Sequence, residues 1–192
     1  MFIQTEATPN PATLKFLPGK VVMADGTAEF RDADEAATVS PLAAKLFAIP
    51  GITGVFYGYD FITVSKNSDE EDAPDWQHLK PAILGAIMEH FMSGAPVLSE
   101  SGSDNRLPDE EFFDDADGTI VATIKELLDT RVRPAVAQDG GDITFRGFKD
   151  GKVYLYMKGA CAGCPSSTAT LKHGIQNLLR HFIPEVREVE AV

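Results

Sequence analysis

Apolar positions recur at helical spacing in several stretches of the chain and alternate with polar positions in others, and these two periods predict most of its elements. In the first half, Phe2 to Thr5 and Thr13 to Leu17 read as short strands around the rigid Pro9-Asn10-Pro11 segment, and Pro18-Gly19 ends the second. Ser40 followed by Pro41 predicts a helix start, and the helix over Pro41 to Ala48 closes at Pro50-Gly51. Ile52 to Phe56 and Phe61 to Ser65 flank Gly58-Tyr59-Asp60 as a hairpin rich in β-branched and aromatic residues. Leu79, Ile83, Ile87 and Phe91 share one face of a helix predicted over Trp76 to Phe91, with Gly94 just beyond it. In the second half, Ile120, Ile124, Leu127, Leu128 and Val132 form one helical face, after which Arg133-Pro134 restrains or kinks the chain. Asp139-Gly140-Gly141-Asp142 reads as a turn into a hairpin, Ile143 to Phe148 and Lys152 to Lys158, about Lys149-Asp150-Gly151. Val153, Leu155 and Met157 alternate there with Tyr154, Tyr156 and Lys158, the pattern of a sheet with one buried face. Leu171, Ile175, Leu178, Leu179 and Phe182 mark a last helix that ends before Pro184, and Val186 to Val192 can add a short strand.

Between the two halves the pattern lapses. From Ser99 to Asp117 the chain carries eight carboxylates against the single Arg106, among Ser, Gly, Asn and Pro, a composition that repels itself and buries little. The fold class expected is therefore α+β, two small mixed domains over 1–98 and 117–192 joined by an acidic linker over 99–116. A docking role for this segment, anchored by Phe112-Phe113, is the alternative to a solvated tether. It is not a calcium loop: with Gly118 at the invariant glycine, Phe113 and Ile124 would fall on ligand positions. The 192 residues carry a net charge of -12, which argues against nucleic acid and anionic membrane as partners, and no apolar run is long enough to span a bilayer. The opening Met1-Phe2-Ile3-Gln4-Thr5-Glu6 has no basic leader, so a chain that stays in the cytoplasm is expected.

The candidate chemistry is concentrated in Cys161-Ala162-Gly163-Cys164, which holds both cysteines of the chain and is followed by Pro165-Ser166-Ser167-Thr168. The motif falls between a strand end and a helix start, where free N–H groups and the helix dipole favour thiolate, and its small, polar neighbours argue against two cysteines that merely pack. Iron-sulfur clusters and closed zinc sites take about four ligands, so a centre using Cys161 and Cys164 must be shared between two chains. Three readings follow: a cluster held across a two-fold axis, a structural zinc site in a dimer, or a dithiol-disulfide oxidoreductase. The last is weakened by the absence of room after the helix for the further strands a thioredoxin-like fold needs. His78 and His90 lack partners at metal-ligand spacing; His173 and His181 lie on the last helix, close enough in sequence to influence the site, and all four are expected to pack or face solvent. No catalytic acid, base or nucleotide motif is visible, so no catalytic residue is assigned and the protein is read as not an enzyme.

Four runs in order, Leu127 to Pro134, Asp139 to Asp142, Gly159 to Ser167 and Leu171 to Asn177, resemble the C-terminal cluster-binding domain of NifU-like (Nfu) proteins. The run Thr8 to Gly19 is similar to the N-terminal domain of the two-domain members, so the resemblance covers nearly the whole chain. It implies a scaffold or carrier that binds a 4Fe-4S cluster between two subunits and delivers it to apo-proteins. Cys161 and Cys164 match the ligand positions. The implied partners are a second copy of the chain, apo iron-sulfur recipients and the upstream cluster assembly machinery. The implied setting is the bacterial cytoplasm, or the mitochondrial matrix for a processed organellar form.

Overall fold

The computed structural model describes residues 1–69, 71–100, 111–162 and 165–192, with backbone alone at 165–167. The chain divides into two compact units, 1–107 and 108–192, each with its own core. Both mix helices with a sheet, as the periodicities predict.

In the first unit the described strands are β1 (Gln4–Ala7), β2 (Thr13–Leu17), β3 (Ala28–Phe30), β4 (Ile52–Tyr57) and β5 (Ile62–Lys66), paired antiparallel in the order β1-β2-β5-β4-β3. Helices α1 (Ala33–Val39), α2 (Pro41–Phe47) and α3 (Trp76–Ser93) accompany the sheet. Phe16, Phe30, Val55, Tyr57, Ile62 and Val64 from the strands meet Leu42, Leu46, Leu79, Ile83 and Ile87 from the helices in one core. Ser40 ties the layers together. Its hydroxyl accepts from the Ala43 N–H at 3.1 Å, lies 2.8 Å from the Tyr57 hydroxyl and donates to the Val97 carbonyl at 2.6 Å. The predicted N-cap is thus also a buried junction, in which a serine loses no hydrogen bond on leaving water. Two elements, β3 and α1, have no counterpart in the periodicity. Only Ala36 of α1 is buried, and the helix is set instead by Asp32, whose carboxylate accepts from the Glu35 N–H at 2.9 Å.

In the second unit a 3₁₀ turn at Asp115–Asp117 leads into α4 (Gly118–Leu127), a π-helical turn (Leu128–Val132) and α5 (Arg133–Gln138). Pro134 has no N–H to continue the ladder, and the helix widens in the turn before it. Strands β6 (Gly141–Lys149) and β7 (Lys152–Gly159) pair antiparallel, α6 (Pro165–Phe182) follows, and β8 (Glu188–Ala191) returns parallel to β7. Val153, Leu155 and Met157 face a core completed by Val121, Ile124, Leu128, Ile143, Ile175 and Leu179. Phe182 stands exposed, and Ile183 takes the buried place beside it.

The end of the acidic stretch lies on this second sheet. Phe112 pairs parallel with Gly147: its N–H donates to the Arg146 carbonyl at 3.2 Å, and its carbonyl accepts from the Phe148 N–H at 2.9 Å. The Phe112 ring sits 5.1 Å from that of Tyr154, Phe113 reaches Phe145 at 6.5 Å, and Lys125 pairs with Glu111. Residues 101–110 of the expected linker lie outside the described residues.

Candidate metal centre

The thiol loop is the short connection from β7 to α6, and its geometry begins with glycine. Gly159 ends β7 at φ +63° and pairs with Gly141, the first residue of β6. Gly140, at φ +83°, presents its carbonyl to the Ala160 N–H at 3.2 Å, and the Ala162 N–H donates to Gly159 at 3.1 Å. Both glycines occupy the left-handed region that a side chain disfavours. From the far side, Thr168 in the first turn of α6 donates its hydroxyl to the Cys161 carbonyl at 3.0 Å. The motif therefore stands between a strand end and a helix start, as its sequence position requires.

The state of the thiol differs from expectation. Cys161 is only 5% exposed and belongs to the core of the second unit. Burial pushes its thiol up to about 12, with the charges of Asp139 and Asp142 acting in the same direction. Small neighbours and a helix start suggest an accessible thiolate, but here the side chain turns inward over Gly141. A Cβ added to Gly141 would stand 2.5 Å from Cys161 Sγ and 2.7 Å from the Lys158 carbonyl, so this glycine is the cradle in which the sulfur rests. Cys164 and Gly163 lie outside the described residues.

Next to the cradle is a charged pair that periodicity could not reveal. Asp142 is 4% exposed, and it receives both Arg133 Nε at 2.9 Å and Arg133 Nη2 at 3.1 Å while also accepting from the Ile143 N–H at 2.8 Å. Arg133 Nη1 reaches Asp129 at 3.0 Å, one helical turn back. The aspartate holds the guanidinium in its charged form, raising it beyond its ordinary range. In the sequence these two residues stand out only as members of the Arg133-Pro134 kink and the Asp139 to Asp142 turn and of the family runs that contain them, with nothing to pair them.

The histidines do not converge on the thiol. His78, His173 and His181 are exposed, His181 edge-on to Phe182 at 5.0 Å, and His90 is buried in the first unit. Among the described residues no group of three or more His, Cys, Asp or Glu is arranged to hold a metal ion, and no helix is long and apolar enough to cross a membrane. What the sequence supplies per chain is the soft donor pair Cys161 and Cys164, which suits iron-sulfur or zinc and falls short of the roughly four donors either takes.

Comparison with known proteins adds the family. Residues 3–94 match the model described as scaffold protein Nfu/NifU N terminal, and residues 124–190 match the NifU-like domain. The chain is 51% identical over its full length to the human protein called NFU1 iron-sulfur cluster scaffold homolog, mitochondrial, covering 72% of that protein. It is 49% identical to the protein of the same name from Drosophila ananassae, of which it covers 64%. The chain thus spans roughly two thirds of the length of these relatives. A NifU-like protein from Saccharomyces cerevisiae solved by solution NMR is 27% identical, with 52% of this chain and 86% of that one covered, at a TM-score of 0.45. With both domain models in order and half the residues shared with a named scaffold, the chain belongs to the two-domain Nfu family of iron-sulfur cluster scaffold proteins.

Proposed function

We propose that this protein carries a 4Fe-4S cluster as cargo, held between two copies by Cys161 and Cys164 of each, and passes it to apo-proteins. The observation that carries this reading is the Cys-x-x-Cys pair at the β7–α6 junction of a domain that matches the NifU-like model. Two thiols from each of two chains make the four-sulfur set that such clusters take, with the two-fold axis through the cargo. The role is non-enzymatic. The cargo is moved by ligand exchange: each cysteine loses its proton on ligating iron and regains one when a recipient thiolate displaces it.

Cys161 in its cradle is protonated and screened from solvent, so loading begins with the loop releasing that side chain and a base taking its proton. Because each chain holds half of the ligands, cargo and association are linked: binding to the pair and not to the single chain favours the pair by mass action. The charge of -12 on each chain opposes association in the absence of cargo. The proposed division is a partner-facing first unit, an acidic connector within 99–110, shorter than the expected 99–116, and a cluster-binding unit that includes Phe112 and Phe113. The mitochondrial names of the relatives favour the organellar compartment over the bacterial cytoplasm.

Transfer tests the reading. Protein reconstituted anaerobically should activate an apo 4Fe-4S enzyme faster than equal free iron and sulfide, and should do so with a chelator present. The single variants Cys161→Ala and Cys164→Ala should remain uncoloured and inactive in the assay while keeping wild-type far-ultraviolet circular dichroism. Transfer that stops when chelator is added contradicts the carrier reading. Colourless wild-type protein with about half a zinc per chain points to the dimeric zinc module. Rapid disulfide reduction by metal-free protein points to the oxidoreductase.

A further inference from the structure

Within the second unit, Arg133 and Asp142 join α5 to the start of β6, whose first residue lies beneath the Cys161 sulfur. Arg133 opens α5 directly after the π turn, and Asp142 is the second residue of β6, adjacent to the glycine on which Cys161 Sγ rests. The pair is two-pronged, at 2.9 and 3.1 Å, and its carboxylate is buried, so it is more directional and less exposed to screening than a surface ion pair. Asp142 also fixes its own backbone through the Ile143 N–H at 2.8 Å, and Asp129 holds the outer nitrogen of Arg133 at 3.0 Å. The Gly140 carbonyl that receives Ala160 and the Gly141 Cα beneath the sulfur both lie within two residues of this anchored carboxylate.

We propose that Arg133 and Asp142 are positioning residues: their clamp holds the Gly140-Gly141 turn beneath the thiol loop and so keeps the Cys161 side chain in its cradle until cargo is taken. The functional meaning rests on the reading of Cys161 as a cargo ligand, but the positioning itself is a property of the cargo-free chain. Loss of the clamp frees the first residues of β6 from α5, the Gly141–Gly159 pair at the end of the sheet opens more often, and the sulfur gains access to solvent. Burying Asp142 without its fork would leave a charge with fewer donors, which adds to the tendency of this corner to open.

The test is the rate at which iodoacetamide alkylates Cys161 in full-length, metal-free protein carrying Cys164→Ala, so that one thiol remains. In that background Arg133→Gln, which leaves the Asp142 charge in place, should label at least about tenfold faster than the parent, through local opening and not global unfolding; Asp142→Asn, which also removes a charge that raises the thiol, should label faster still. Ile124→Val, a core lesion in the same unit away from the clamp, supplies the comparison: at equal global stability, set with urea, the clamp variants should still label faster. Arg133→Lys keeps the charge and loses the fork, and its rate should fall between parent and Arg133→Gln; it carries the test if Asp142→Asn does not fold. Labelling of Arg133→Lys at the parent rate, or of the clamp variants at the Ile124→Val rate when stabilities match, overturns the proposal. Because no cluster is present in this assay, failure of the carrier reading would show in transfer and not here.

Discussion

Gly141 has a negative φ and would tolerate a side chain on backbone grounds alone; what excludes one is the Cys161 sulfur and the Lys158 carbonyl above it. The carbonyl is part of the β6–β7 ladder and cannot move without breaking pairing, so Gly141→Ala should destabilise the second unit by about 1–3 kcal/mol, measured by urea unfolding. The same contact explains what the residues around Cys161 could not tell: alanine and glycine neighbours look exposed in a sequence, whereas the fold turns the sulfur into the core. His90 is the counterpart in the first unit. It is 1% exposed, its Nε2 has no hydrogen-bond partner among the described residues, and burial together with the charge of Lys45 lowers its affinity for a proton below the ordinary 6.5, against the opposing pull of the Ala95 and Pro96 backbone. The unfolded chain then binds that proton more readily than the folded one, so the stability contribution is whole above 6.5 and is lost as pH falls below it. The melting temperature of the first unit should therefore drop as pH falls below about 6.5, and His90→Phe should flatten that part of the profile.

Among the elements, those with an apolar stripe, and α2 with its Ser40-Pro41 start, were legible, whereas α1, β3 and the Phe112 bridge were not. Leu79, Ile83 and Ile87 announced α3, and the alternation through Val153 to Met157 announced β7, because burial of one face writes a period into the chain. Helix α1 buries one residue and so writes none, while β3 is only three residues long. The π turn is half legible: Pro134 marks where the ladder must change, but not that the helix widens to accommodate it. Phe112 was obscured by its company, since the surrounding carboxylates read as solvated tether although the ring settles over Gly147 against Tyr154. At 42% exposure it is partly anchored, and Phe112→Ala should cost the second unit about 1–2 kcal/mol in urea unfolding. A fragment beginning at Glu111 should correspondingly unfold at higher urea than one beginning at Gly118.

At the scale of the whole molecule, the separate cores predict that fragments 1–98 and 111–192 each fold alone, checked by a cooperative thermal transition in each. Metal should follow the second fragment. The sequence places two thiols on each chain, and among the described residues no group of three or more His, Cys, Asp or Glu could hold a metal ion, so the account turns on whether cargo recruits a second copy. Native mass spectrometry of the full chain after anaerobic reconstitution measures that directly. The account predicts a species of two chains carrying one 4Fe-4S cluster, about two iron and two sulfide per chain, that returns to single chains when the cluster is removed. A single chain that retains a complete cluster, or a pair that forms equally well without one, would contradict it.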